Sequence, residues 1–431
     1  MRTPPITNTT TDLHKRHDPY SSLRVPLFRR YLIASSLVRM GTAAQGLAIA
    51  WEVYDRTGQA LSLGMVGLVQ AIPMLLLTLP AGYLADVFDR RKLMMLSLAG
   101  ATLASLGLAV FSWYQMPTYW MYVLLFLDSS FLRLGWPAQR AIAPLLVPDA
   151  LFENAAKWST SLQQIIGIAG PAIGGFVIAF NLQVAYVLSA ISSAAFILFL
   201  STMILPPAPR IQGGKMFAQI AVGLRFVRDQ PLLLGAISLD LFAVLLGGAV
   251  YLLPIFAREI IDLSSVGLAP EAALGWLVAA PAIGATITAL AIAHLPPIRR
   301  AGKTLLWCVA GFGVATILFG LSQNFWFSLL MLALTGAFDN VSMVIRRVIS
   351  QMGTPNEMRG RVQAVSAIFV GASNEIGGFE SGLVAQLFNP VFSVVSGGIG
   401  TLLVVAAWTG LFPSLRNLGS LASLTAQHSA K

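Results

Sequence analysis

Charged residues are scarce in this chain. Of its 431 residues, 11% are charged and 56% are hydrophobic, whereas soluble domains carry roughly 25% charged residues. Apolar runs of about 20 residues, which are long enough to cross a bilayer core, recur throughout the sequence. The composition excludes an ordinary soluble protein and predicts a chain that crosses a membrane many times.

Cysteine and histidine are also nearly absent. The one cysteine, Cys308, has no partner for an internal disulfide, and the four histidines are scattered without metal-ligand spacing. No nucleophile motif, no pair of carboxylates in a polar loop and no phosphate-binding loop is found. We therefore expect no metal, no cofactor, no enzymatic activity and no ATP-driven step. Residues 1–27 lack an apolar core, so no cleavable signal peptide is expected.

Twelve apolar runs are separated from one another by charged residues or by proline and glycine residues. Their predicted bounds are 30–52, 62–84, 93–113, 119–146, 158–180, 183–205, 232–257, 272–295, 304–322, 325–348, 362–388 and 391–413. The longest connection separates the sixth run from the seventh. Inside it, Met216 to Arg228 has the apolar spacing of a helix that lies on the membrane surface.

Positive charge is distributed unevenly along the chain, whose net charge is +10 at pH 7. If the N-terminus is cytoplasmic, the cytoplasmic segments hold 23 of the 28 Lys and Arg residues, and the outside loops hold only Arg56 and Arg258. The positive-inside rule then predicts a multi-pass membrane protein with both termini in the cytoplasm. Because topology accounts for the charge, we expect no nucleic-acid partner.

The two halves of the chain repeat weakly. Leu63-Gly64 recurs as Leu274-Gly275, and Ile173-Gly174-Gly175-Phe176 recurs as Ile376-Gly377-Gly378-Phe379. Duplicated halves place a substrate site near mid-membrane at their interface. We predict an all-α membrane protein with twelve transmembrane helices in two pseudo-symmetric six-helix bundles. The bundles span 30–205 and 232–413, with a cytoplasmic linker at 206–231 and cytoplasmic tails at 1–29 and 414–431.

A short charged stretch separates the second and third apolar runs. It resembles the signature loop of the major facilitator superfamily of secondary transporters in Gly82, Leu84, Asp86, Arg90 and Arg91. Two positions depart from the pattern, since Val87 replaces a common basic residue and Asp89 replaces the usual second glycine. The resemblance covers essentially the whole chain and implies the major facilitator fold, a small organic substrate and a functional monomer.

This signature loop has two interpretations. It can be a positively charged topology anchor at the lipid bilayer. It can also be a cytoplasmic latch, in which Gly82 lets helices close up. Asp86 would then lie near a helix N-terminus or pair with a basic residue such as Arg140. The acid favours the latch, because a positive anchor has no need of one.

Other motifs resemble the branch of the superfamily that contains enterobactin exporters and macrolide-efflux proteins. They are the segments 50–58, 223–226 and 360–362. In the fifth run, a further element resembles the Gly-Pro-x-x-Gly-Gly motif of the family's antiporters through Gly167, Gly170, Pro171, Gly174 and Gly175. Such a glycine stripe indicates close helix packing, while the proline permits a bend that would set the geometry for export. Both roles are compatible.

Ionisable residues interrupt the middle of several predicted spans, where each is costly. The proton-coupling candidates are Asp128, Asp240, Asp339, Glu375 and Glu380. Asp128, Asp240 and Asp339 rank first because the resemblance implies that their helices border a central cavity. Glu375 and Glu380 are expected to pack or pair. The alternative for every acid is mutual neutralisation with a base on a neighbouring helix.

Candidates for the substrate cavity or for counter-ions are Arg39, Arg133, Arg140, Trp136 and Gln163. Arg39 and Arg133 would either attract an anionic substrate such as a catecholate or neutralise the acids. The sequence favours a proton-coupled exporter of siderophores, macrolides or other drugs that works by alternating access. A proton-coupled nutrient symporter is the alternative, and a non-transporting membrane receptor is a remote one.

Overall fold

The computed structural model describes residues 18–203, 216–296, 298–355 and 357–420. Within these ranges the chain is helical, and the only β-type pairing is an isolated bridge between Asp262 and Asn324. The predicted N-terminal tail up to residue 17, the linker segment 204–215 and the C-terminal tail beyond residue 420 lie outside the described residues. The predicted all-α fold class is confirmed.

Six long helices form the first half of the described chain. They are α1 Pro26–Thr57, α2 Ala60–Val87, α3 Arg90–Trp113, α4 Tyr119–Ile142, α5 Phe152–Phe180 and α6 Leu182–Thr202. Short 3-10 turns at Ala143–Leu146 and Asp149–Leu151 connect α4 to α5. Helix α7, Met216–Asp229, then leads into the second half.

The second half contains six further long segments and two short helices. They are α8 Pro231–Leu246, α9 Leu253–Ile255, α10 Pro270–His294, α11 Ala301–Gly320, α12 Phe325–Met352, α13 Arg359–Leu387, α14 Pro390–Leu411 and α15 Pro413–Arg416. Proline at the first position of α1, α8, α10 and α14 has no N–H to leave unpaired there, and its fixed φ suits the helix. Asn181, Asn324 and Asn389 cap α6, α12 and α14 through their side-chain oxygens.

Ten helical stretches of the described chain are long and apolar enough to cross a membrane. Helices α4 and α13 are not among them, and both carry ionisable residues in their middle. Their 24 and 29 residues nevertheless extend roughly 36 and 43 Å at the rise of an α-helix, which exceeds a hydrocarbon core of about 30 Å.

The seventh predicted span is not one continuous helix as expected from its apolar composition. Helix α8 ends at Leu246, the Gly247-Gly248 pair follows, and the chain continues as a 3-10 turn, α9 and a π-helical turn at Phe256–Ile260. A Cβ atom at Gly248 would lie 2.6 Å from the carbonyl oxygen of Gly377. The glycine pair therefore ends α8 and lets the backbone pass close to α13.

The two halves meet through two equivalent helix pairs, α2 with α13 and α5 with α10. We call the side that holds Pro26 and Leu411 the terminal side. The close approaches lie towards the other side: a Cβ atom at Gly382 would be 2.6 Å from the Cα of Gly64, and one at Gly175 would be 2.8 Å from the Cα of Gly275. Three of these four glycines, Gly64, Gly175 and Gly275, belong to the predicted repeat, and all four form the contact between the halves.

Helix α7, predicted to lie on the membrane surface, also packs against the protein. A Cβ atom at Gly223 would lie 3.0 Å from the carbonyl oxygen of Arg361 in α13. Val227 is buried in a cluster with Val362 and Val365. The segments 223–226 and 360–362, which are far apart in the sequence, therefore form one contact.

Candidate functional site

A cavity of about 480 Å³ lies between the two halves. Helices α2 and α4 line it from the first half, and α8, α12 and α13 line it from the second. The predicted site residues that border it are Arg133, Trp136, Arg140, Asp240 and Asp339. Its lining extends from mid-depth at Asn374 to Ser350 and Gln363 near the terminal side, so the halves are separated on that side and joined on the other.

A side cavity of about 300 Å³ lies within the first half, between α1, α4 and α5. Arg39 and Gln163 line it, together with Trp136 and Arg140. The last two residues also border the main cavity, so the two spaces adjoin at their side chains. There the Arg140 guanidinium stacks 3.8 Å above the Trp136 ring centre.

Arg346 is the centre of a charged cluster in the second half. Its guanidinium forms ion pairs with Asp240 of α8 and with Asp339, whose Oδ1 is 3.3 Å away. Its Nε also donates a hydrogen bond of 3.1 Å to the Ser342 hydroxyl. Two candidate acids thus share one base, which gives the cluster a net charge of −1 when both are ionised.

Glu375 joins the two halves at mid-depth. Its carboxylate lies 3.6 Å from Arg133 of α4 and accepts a hydrogen bond from the Tyr251 hydroxyl. The break after α8 brings Tyr251 to this position, where a Cβ atom on Gly378 would be 2.6 Å from the tyrosine ring. Arg133 thus acts as a counter-ion in this conformation, and Glu375 is paired.

Asp128 and Glu380 do not line the cavity. Asp128 is 5% exposed inside the first half and is hydrogen-bonded to the Gln45 amide. The Ser105 hydroxyl donates to the same amide over 2.6 Å, so Gln45 is held in place. Glu380 lies beside the Ser381 hydroxyl at 3.4 Å. Helix α4, which carries Asp128, borders the cavity as the resemblance implies, but the Asp128 side chain itself faces α1 in this conformation.

The signature loop does not close the terminal side. A Cβ atom at Gly82 would meet nothing within 4 Å, and Asp86 is exposed without an ion pair to any described residue. Asp89 caps α3 instead, accepting hydrogen bonds from the backbone of Arg91 and Lys92 at 2.8 and 3.1 Å. Among the described residues, the expected close approach at Gly82 and the expected pair between Asp86 and Arg140 are therefore not formed in this conformation.

The remaining loop residues make contacts within the first half. Arg90 donates to the carbonyl oxygen of Ala85 over 3.4 Å, and Arg91 donates to that of Ser201 at the end of α6. Leu84 is partly buried against the core cluster of the first half. The loop is thus fixed to its own bundle, and Asp86 is left available for another partner.

The antiporter-like element of α5 is a packing surface. A Cβ atom at Gly170 would lie 3.0 Å from the Ala43 Cβ, and one at Gly174 would lie 2.9 Å from the Ala44 Cα. Gly167 has more room, with the Ala282 Cβ at 3.6 Å. Helix α5 continues through Pro171 to Phe180. The element therefore holds α5 against both α1 and α10.

Sequence reasoning missed the contacts that close the side opposite the termini. Asp55 pairs with Arg258 across the halves, and the Tyr54 hydroxyl donates to Glu259. The Arg258 guanidinium also lies 5.8 Å above the Trp51 ring centre. We call Trp51, Tyr54, Asp55, Arg258 and Glu259 the outer latch. Its signal in the sequence was the segment 50–58, interpreted only as a family motif.

A second polar cluster behind the outer latch was also missed. Glu52 is buried, pairs with Arg56 one turn later, and accepts a hydrogen bond of 2.7 Å from the Tyr186 hydroxyl of α6. Arg56 in turn donates to the carbonyl oxygen of Met116 over 3.0 Å and lies 4.7 Å from the Phe111 ring centre. These contacts fix the end of α1 that carries the outer latch.

A family model described as transmembrane secretion effector matches residues 17–430 of the chain. Among curated proteins, the enterobactin exporters EntS of Shigella boydii serotype 18 (strain CDC 3083-94 / BS512) and Escherichia coli O81 (strain ED1a) are similar to it. Each is 26% identical over 383 residues, which cover 88% of this chain and 90% of the relative.

Solved transporter structures share the fold. A mutant of the nucleoside transporter NupG superposes with a TM-score of 0.73 at 13% identity, covering 90% of this chain and 100% of that one. A D-xylose-proton symporter superposes with a TM-score of 0.67 at 13% identity, covering 90% and 98%. At this level of identity the likeness establishes the architecture.

Proposed function

Because the chain belongs to the transmembrane secretion effector family of the major facilitator superfamily, we propose that it exports small organic molecules across the bacterial inner membrane. The observation that carries the proposal is the cavity of about 480 Å³ between the halves, open towards the terminal side. Its volume lies in the usual range of small-molecule sites, about 300–1,000 Å³.

The terminal side faces the cytoplasm in this proposal. The positive-inside rule supports this orientation, since the segments on that side carry most of the Lys and Arg residues. The conformation is then inward-facing, with the outer latch closed. A substrate enters from the cytoplasm, and the transporter releases it after the contacts between the halves have moved from one side to the other.

The relatives support export rather than uptake, since EntS is an exporter by name. The antiporter-like element of α5 supports the same direction. We propose siderophores, macrolides or similar drugs as the substrate classes. The chain acts as a monomer, because each half of the cavity comes from the same polypeptide.

Proton entry drives the cycle through the buried acids. Asp240 and Asp339 compete for Arg346 at the cavity wall, so protonation of either acid changes how strongly Arg346 is held. Asp128 is a second candidate, since it is buried beside neutral groups and has no ion pair among the described residues. Burial disfavours the charged form of a carboxyl group, which allows it to carry a proton.

Transport into inverted membrane vesicles tests this function. Vesicles with an acidic lumen should accumulate radiolabelled enterobactin or a radiolabelled macrolide, and a protonophore should abolish the accumulation. Accumulation that survives the protonophore would rule out proton coupling. Proton-dependent accumulation in right-side-out vesicles instead would identify an uptake symporter.

A further inference from the structure

Three arginines at the junction of the two cavities have no acidic partner. Arg39, Arg140 and Arg347 form no ion pair with any residue in the described ranges. Arg140 and Arg347 line the main cavity, while Arg39 and Arg140 line the side cavity. The three bases therefore line two adjoining cavities, with Arg140 bordering both.

The Arg140 guanidinium lies close enough to Arg39 and to Arg347 to be repelled by both. Arg39 and Arg347 are the charged groups that act on Arg140, and both have its sign. The acids nearby are already engaged, since Asp240 and Asp339 pair with Arg346, and Glu375 pairs with Arg133. A cluster of like charges is unfavourable unless a ligand of opposite charge occupies it.

The positive-inside rule alone does not explain why Arg39, Arg140 and Arg347 lie at the cavities. Arg29 and Arg30, at the exposed start of α1, are placed as positive-inside anchors. Arg39 lies 13 residues beyond Pro26, which is roughly 20 Å along the helix. Arg140 is exposed, but its guanidinium is stacked on the Trp136 ring and lines both cavities.

Arginine is also the side chain suited to acidic ligands. Its planar fork forms two parallel hydrogen bonds to a carboxylate or similar oxyanion. The Trp136 ring at 3.8 Å holds the Arg140 guanidinium by cation–π stacking, which leaves the edge of the fork for a ligand.

The geometry points to a binding site for an organic polyanion, with Arg39, Arg140 and Arg347 binding its acidic groups. This rests on the proposed function and names its substrate class: a small organic molecule with at least two negatively charged groups. Arg39 and Arg140 belong to the first half, and Arg347 belongs to the second. The anion removes the repulsion between the halves, so that its binding favours closure of the terminal side.

Calorimetric titration of the purified full-length protein in zwitterionic nanodiscs tests the site. The probes are benzene-1,3,5-tricarboxylate and its neutral counterpart, benzene-1,3,5-tricarboxamide. We expect the tricarboxylate to bind and the triamide not to bind. Arg39→Gln, Arg140→Gln and Arg347→Gln should each weaken binding by about tenfold or more, as expected for loss of a charged hydrogen bond.

Arg30→Gln is the matched control, since it removes a positive charge from the exposed start of the same helix as Arg39. It should leave tricarboxylate binding unchanged. Arg347→Lys keeps the charge and should retain more affinity than Arg347→Gln, which separates ligand contact from misfolding. Equal binding of the two probes, or wild-type affinity in Arg39→Gln and Arg347→Gln, would overturn the proposal.

Binding and transport measurements on the same protein distinguish failure of this inference from failure of the proposed function. Proton-driven transport of an uncharged macrolide without any tricarboxylate binding would reject the anion site and leave the exporter intact. Tight tricarboxylate binding that depends on the three arginines, without transport in vesicles of either orientation, would reject the exporter and leave the site.

Discussion

Arg346 shows how one base can hold two acids of unequal importance. The side chain of Asp240 is 6% exposed, whereas that of Asp339 is 50% exposed. Removing the more buried partner leaves Arg346 less well neutralised, and breaking a buried pair costs about 3–5 kcal/mol when no other acid remains. Because Asp339 remains, we expect Asp240→Asn to destabilise the protein by roughly half of that amount.

Asp339→Asn is the matched variant for this cluster. Solvent reaches the Asp339 carboxylate in the wild-type protein, and the ion pair between Arg346 and Asp240 remains in the variant. We expect it to cost less than about 1 kcal/mol, as for exposed ion pairs. Thermal unfolding in detergent gives both values. Equal melting temperatures for the two variants would contradict the unequal roles of the acids.

Asp128 has a different environment, and its substitution should have a different effect. An asparagine at this position would keep the shape and the contact with Gln45, so we expect Asp128→Asn to leave the melting temperature within about 1 °C, since no ion pair is lost. If Asp128 carries the proton, the variant loses gradient-driven transport but retains substrate exchange. Vesicle assays measure both activities.

The same exchange assay applies to the Asn variants of Asp240 and Asp339. Uphill transport at the wild-type rate in all three variants would reject the assignment of the proton to these acids. Loss of exchange together with uphill transport in the Asp128 variant would instead indicate a substrate-binding or structural role.

The sequence predicted which ionisable residues lie inside apolar runs, but it did not predict the residues with which they form ion pairs. Ionisable side chains in apolar runs are conspicuous, and a spacing of seven residues, as between Asp339 and Arg346, puts two side chains on one helix face. The pairs of Arg346 with Asp240 and of Arg133 with Glu375 join different helices. Helix spacing alone carries no information on such contacts.

At the level of secondary-structure elements, the signature loop between α2 and α3 contains two acidic residues with different roles. Asp89 is the cap of α3, and loss of a helix cap costs about 1 kcal/mol. We expect Asp89→Ala to lower thermal stability by that amount. Asp86 is exposed and unpaired within the described chain, so Asp86→Asn should leave stability unchanged and still slow transport if it forms a latch when the terminal side closes.

Transport rates and melting temperatures of Asp86→Asn and Asp89→Ala, compared at equal amounts of protein in the membrane, test whether Asp86 acts in transport and Asp89 in stability. Transport at the wild-type rate by Asp86→Asn would reduce the loop to an anchor. A lower melting temperature in Asp86→Asn than in Asp89→Ala would contradict the assignment of the cap.

Helix positions were predictable because a long apolar run inside a membrane has few alternatives to forming a helix. The break after α8 was not predicted, since Gly247 and Gly248 lie in a run that is apolar throughout. Its cause is the close approach of α13 at Gly377, a contact between distant parts of the chain. The break also positions Tyr251 beside Glu375.

For the whole molecule, the duplication predicted two halves and a cavity between them, but not which side is closed. A transporter sequence has to allow both states, so composition and repeats do not distinguish them. The closed side depends on contacts such as Gly64 with Gly382 and Gly175 with Gly275. Gly64, Gly175 and Gly275 were evident in the repeat, whereas Gly382 and the pairing of these glycines became evident only in three dimensions.

In the proposed transport cycle, the outer latch stabilises the conformation described here. Asp55 and Arg258 are half-exposed, with side-chain exposures of 51% and 39%, and such pairs contribute about 0.2–1 kcal/mol. Asp55→Asn should therefore shift the population towards the outward-facing state by roughly twofold, since about 0.5 kcal/mol is lost.

Spin labels at Val87 and Glu357, exposed residues of the two halves on the terminal side, report this shift in a Cys308→Ser background. We expect a larger short-distance population in Asp55→Asn, because the terminal side closes as the outer latch opens. The charge exchange Asp55→Arg with Arg258→Asp should restore the wild-type distribution. Asp262→Asn is the control, since that carboxylate accepts hydrogen bonds only from Ser264, two residues away, among the described residues. A distribution in Asp55→Asn identical to that of the control would mean that the glycine contacts alone hold the outer side closed.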